Sequence, residues 1–82
     1  MAGSNITNPV EHGFAITPND STDLTEVIRA IYVGVSGDLV VTLPGGDTLT
    51  FVSLAGGMIH PIMAKRVHAT GTTADELLGF YN

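Results

Sequence analysis

Cysteine and tryptophan are absent from this chain, and lysine and arginine together number three. Without cysteine there is no disulfide to staple the fold and no thiolate to hold a metal, so stability must come from packing or association, and the redox compartment is left open. Three cations against eight acidic side chains give a formal charge of −5, the wrong sign for neutralising phosphates, which argues against a nucleic-acid partner. The same charge argues against an anionic membrane surface, and no apolar run approaches the roughly 20 residues that span a bilayer as a helix. The opening MAGSNITNP has neither the basic nor the apolar part of a signal peptide, which predicts synthesis in the cytoplasm.

What the chain does have is apolar character. Of its 82 residues 44% are hydrophobic and only 13% charged. A domain of this size buries only about 60–65% of its unfolded surface, and a small domain standing alone needs more polar surface than this. The composition therefore predicts that apolar surface is buried between chains of a homo-oligomer; a closed trimer or pentamer is the form expected of a symmetric assembly.

The stretch from Glu26 to Val52 organises the rest. Its β-branched and aromatic runs are broken at Ser36-Gly37-Asp38 and again at Pro44-Gly45-Gly46-Asp47, the punctuation of a three-strand antiparallel meander. In the first strand Val27, Ile31, Val33 and Val35 share one face with Arg29, while Ile28, Ala30 and Tyr32 share the other. Apolar groups on both faces predict packing on both sides, one against a neighbouring subunit. Leu39–Leu43 repeats the pattern, and Thr48–Val52 alternates as a half-exposed strand. Around this meander the pattern predicts a short strand at Phe14–Thr17, a strand Met58–Met63 interrupted by Pro61, a short strand Arg66–Ala69, and a last strand in Ala74–Tyr81 in preference to a helical turn. The sum is an all-β fold, a small antiparallel sandwich or barrel of five to seven short strands. Residues 1–13 read as a flexible N-terminal arm and 14–82 as a single β domain.

Chemistry is sparse. His12, His60 and His68 lack the spacing of a metal-binding helix. Asn19, Asp20 and Asp23 lack the glycine and closing glutamate of a calcium loop, and an Asx-rich turn that satisfies its own backbone is the simpler reading. Ser21, Ser36 and Ser53 lie in turns, none in a nucleophile elbow, and the glycine-rich turns do not run from strand into helix as a phosphate cradle must. No cofactor, metal or catalytic residue is predicted. Tyr32 and Tyr81 suit core packing better than a carbohydrate platform, the alternative role for a small β-rich binding module. Lys65 and Arg66 are the only concentrated positive charge, free to pair with a partner or with Asp75 and Glu76. Asn19, Asp20, Asp23, Lys65 and Arg66 are the candidate protein–protein contacts.

The blocks AITPNDSTDL (15–24), RAIYVG (29–34), the Gly37-Asp38 and Gly46-Asp47 turns, and RVHATGTTA (66–74) occur in an order that resembles the spike base protein family of gene transfer agents and tailed bacteriophages. The resemblance covers roughly Phe14 to Tyr81. It implies a non-enzymatic virion protein on the capsid surface, the base of a head spike or a decoration protein, with the major capsid protein and a spike or fibre protein as partners; a tail or baseplate component is the alternative place in the virion. The acidic Asp75-Glu76 and the segment Met1–Asn8 depart from the family pattern.

Overall fold

The computed structural model describes residues 10–82, and all regular structure among them is β. In chain order the strands are β1 (His12–Ala15), β2 (Ala30–Val35), β3 (Gly37–Thr42), β4 (Thr48–Leu54), β5 (Met58–His60), β6 (Arg66–Val67) and β7 (Asp75–Tyr81). They form two antiparallel sheets, of order β1-β7-β2-β5 and β4-β3-β6. The inner faces close on Ile28, Ile31, Val33, Leu39, Val41 and Val67, none more than 1% exposed. Of the two expected architectures, the sandwich is the one that forms. The segment Met1–Asn8 lies outside the described residues. β1 takes in His12 and Gly13, paired with Tyr81 and Phe80, from the stretch read as an arm.

The three-strand meander does not form. β3 and β4 are a hairpin, with Leu39 opposite Phe51 and Val41 opposite Leu49, but β2 lies in the other sheet between β7 and β5. Ser36 alone separates β2 from β3. The common tight hairpin needs a loop of two residues to bring a strand back beside its predecessor, so this shorter link carries the chain across the core into the second sheet. Gly37 permits the crossing, because a Cβ there would lie 2.6 Å from the Ala74 nitrogen.

The alternation expected for β2 also slips. Ile31 and Val33 share a face as predicted, and it points inward, yet Ile28, assigned to the opposite face, is fully buried as well, and Val27 and Val35 are 46% and 51% exposed. Ile28 bridges Ala64 whereas Ile31 faces His60. Four steps from His60 to Ala64 face three from Ile28 to Ile31, so the extra residue lies on the Pro61 side. Ile28 itself stands before β2, beyond a bend at Arg29 that breaks the alternation and turns it back to the core. The other strands differ in length: β5 stops at His60, before Pro61 removes a donor from the ladder, and β6 holds two residues only.

β7 completes the core from the chain end. Leu77 is 4% exposed and points inward, while Leu78 on the opposite face is 39% exposed. Gly79, also inward, leaves room for its neighbours: a Cβ there would stand 2.6 Å from Ile28 Cγ2 and 3.0 Å from Ile16 Cδ1. Gly79→Ala is therefore expected to overpack the core and lower the unfolding free energy by about 1–3 kcal/mol, measured by urea denaturation. Gly45→Ala, in a turn where nothing lies within 4 Å of an added Cβ, is the matched control and should stay within about 0.5 kcal/mol of the parent.

Candidate interaction site

The edge of β6 is covered by the loop that precedes β2. Asn19 N donates to Val67 O and Leu24 N to Lys65 O, each at 2.8 Å, so this loop occupies the place of a further strand. The sequence TPNDSTDL builds it from short polar side chains that bond to backbone. Asn19 Oδ1 accepts from Ser21 N at 2.9 Å and Thr22 N at 3.1 Å, an Asx turn. Asp20 reaches outward from that turn: its Oδ1 accepts from Ala69 N and Thr70 N, both at 2.9 Å, and its Oδ2 accepts from the Thr70 hydroxyl at 2.6 Å. Arg66 closes the loop from β6, donating from Nε to Asp23 Oδ1 at 2.8 Å and from Nη1 to Asp20 O at 3.3 Å.

All five candidate contact residues thus lie on one flank of the sandwich. Arg66 takes Asp23 as its partner, and not Asp75 or Glu76 on β7 as the sequence reading allowed; the correction has a simple cause, since β6 belongs to one sheet and β7 to the other. Asn19, Asp20, Asp23 and Arg66 direct their polar atoms at their own chain. Lys65 makes no salt bridge among the described residues. The Thr70 hydroxyl, then the Thr70 N–H, hold the Asp20 carboxyl below the usual carboxylate range, with Ala69 N–H and the nearness of His68 adding to this and desolvation opposing it.

The three histidines go to separate places. His12 stacks on Tyr81 with ring centroids 5.1 Å apart, His60 Nε2 lies 2.9 Å from Ala55 O, and His68 stands between Thr42 and Asp20. The last arrangement has the order of a hydroxyl–imidazole–carboxylate triad but not its geometry. His68 Nδ1 is 3.7 Å from Asp20 Oδ1, beyond hydrogen-bonding distance. The Thr42 hydroxyl also bonds to Thr48 Oγ1 at 3.0 Å, and Thr42 is only 9% exposed, so no substrate carbonyl reaches it. Hydrogen bonds between His68 and Thr42 and between Thr42 and Thr48 tie the residue that follows β6 across β3 to β4. Among the described residues no three His, Asp or Glu side chains converge as metal ligands. Tyr81 is engaged by His12 and by Phe14 at 6.0 Å; Tyr32 borders a shallow open groove of about 300 Å³ with Leu78 and Glu76.

The opposite flank is built from β4 and β5, the outer strands of the two sheets on that side, joined by the turn at Ala55-Gly56-Gly57. No Asp, Glu, Lys or Arg occurs from Thr48 to Ala64, and Leu49, Val52, Met58 and Ile59 are 44%, 69%, 54% and 53% exposed. This flank was missed as a site because its residues read one by one as ordinary strand formers. The signal that finds it is the length of the charge-free run.

Two flanks of opposite character, without an enclosed chemical site among the described residues, define a small β-sandwich whose distinguishing features lie on its surface. Among solved structures the chain matches one described as the capsid of a native GTA particle computed with C5 symmetry, at 41% identity and a TM-score of 0.80, over 93% of this chain and 88% of that one. No family model and no curated protein matches the chain. At that identity over nearly the whole of both chains, the protein belongs to the family of this gene transfer agent capsid component.

The depressed Asp20 carboxyl sets a pH dependence. Its contribution to stability is fully present above its unfolded value near 3.8 and is lost as pH falls through the lower folded value. Asp20→Ala should therefore melt at a lower temperature than the parent at neutral pH, and the gap should close as the pH is taken from about 5 to about 2. A gap that persists at the acid end would show that the carboxylate is not what holds the loop.

Proposed function

We propose that this chain is a structural protein of a gene transfer agent or phage-like particle, located on the capsid as the oligomeric base of a head spike or as a decoration. The observation that carries this reading is the 41% identity to a chain of a GTA capsid over 93% of this one. The loop and the β6 segment that interlock through Asp20, Asp23 and Arg66 are two of the blocks that resemble the spike base family. A base of this kind works by rigid surface complementarity and carries no reaction. The buried Thr42 hydroxyl and the dispersed histidines support a non-enzymatic role. The major capsid protein and a spike or fibre protein are the partners this reading requires.

On this reading the flank carrying Asn19, Asp20, Asp23, Lys65 and Arg66 faces another virion protein, with Lys65, which makes no salt bridge among the described residues, supplying a cation. The protein should remain on washed, density-purified particles at a fixed ratio to the major capsid protein, measured by quantitative mass spectrometry; particles free of it would overturn the assignment. Lys65→Glu should reduce incorporation several-fold while leaving the melting temperature unchanged. Arg66→Glu separates the two roles of this flank, because it sets a carboxylate against Asp23 and should loosen the fold itself, by about 1 kcal/mol.

A further inference from the structure

The sandwich has four strand edges, and it treats them differently. β6 is covered by the Asn19–Leu24 loop. β1 spans four residues, and β5 three before Pro61 ends it. Short edges, covering loops and proline are the usual means by which sheets avoid pairing with strangers. β4 has little of this protection: it runs seven residues, TLTFVSL, pairs with β3 alone among the described strands, and contains neither charge nor proline. Its one irregularity is a bulge at the far end, where Ser53 has a φ of 59° and donates to Asp38 Oδ1. The row of backbone donors and acceptors facing away from β3 is an open template for another strand.

From these observations we infer that copies of this chain contact one another through the β4/β5 flank, with the free edge of β4 at its centre. Charge selects a second copy as the occupant. Each copy carries a formal −5, so two copies repel wherever acidic surfaces meet, and the flank built from Thr48–Ala64 brings no fixed charge to the contact. The exposed Val52, Met58 and Ile59 supply the apolar area that such a contact buries. The inference deepens the assembly reading above and rests on it only for the existence of self-contact; it assigns that contact to the flank opposite Lys65 and Arg66, leaving the loop side for a different protein.

Light scattering on the purified full chain, over a wide range of concentration, tests it. The parent should form a closed oligomer whose mass is a whole multiple of 8.5 kDa. Val52→Lys and Ile59→Lys, at positions 69% and 53% exposed, should each remain folded with a single cooperative melt and lose the oligomer, falling to a single-chain mass. Glu26→Lys, which places a lysine off this flank and raises the net charge by two where each of the others raises it by one, should leave the oligomer intact. The inference is overturned if the parent is a monomer throughout, or if both lysine variants retain the oligomer. The particle assay above reads separately: a monomer that still stays on washed particles refutes the self-contact and spares the virion assignment, and an oligomer absent from particles does the reverse.

Discussion

β3 must have hydrogen-bond partners along both sides, and the way it obtains them shapes the rest of the molecule. One side is served by β4 in the ordinary ladder. On the other, β6 pairs only at Val41 and Thr42, and the strand continues past it. Its remaining donors and acceptors are met by residues 68–74, which are not a strand: His68 N donates to Val40 O, Val40 N to the Thr72 hydroxyl, Asp38 N to the Thr73 hydroxyl, and Thr73 N and Ala74 N to Asp38 O. An unpaired group there would cost about 1–3 kcal/mol. These bonds fix the path of the segment, and with it Ala69 and Thr70, the donors that anchor Asp20.

The anchoring extends outward in order. Asp20 seats the loop, the loop covers the edge of β6, and Arg66 on β6 closes back on Asp23. One flank of the sandwich is thereby finished with the chain's own polar groups. The other is left as bare strand, uncharged and apolar. For a chain too small to bury a large core, an unfinished flank is coherent only if association completes it. The membership in a capsid-component family fits that division, since a chain of an assembled capsid has to meet neighbouring chains.

Much of the architecture was legible in the sequence because it is local. The Pro44–Asp47 break became a hairpin with Gly46 at a φ of 105°, and the alternation of Leu77 to Tyr81 became a strand. The errors arose where a nonlocal constraint decided. The single-residue link at Ser36 sent β2 and β3 into different sheets, and the bend at Arg29 reversed a face assigned by strict alternation. That Asn19, Asp20, Asp23, Lys65 and Arg66 share a flank was foreseen only as a grouping of types; that Asp20 belongs to Thr70 and Asp23 to Arg66 depends on contacts across more than forty positions, which no local pattern carries. The uncharged run from Thr48 to Ala64 was in plain sight, but its meaning appeared only once β4 and β5, joined by a short turn, stood at the edges of the two sheets.

The central claim is that the chain closes one flank itself and leaves the other for a neighbour. Amide hydrogen exchange tests it most directly, comparing the protein at high dilution with the protein in its assembled form. The account predicts that the amides of Thr48–Leu54 that face away from β3 exchange quickly in the dilute chain and slow strongly on assembly, while Asn19 and Leu24, already bonded to Val67 and Lys65, are protected in both. Protection that rises on the loop and leaves β4 unchanged would contradict it.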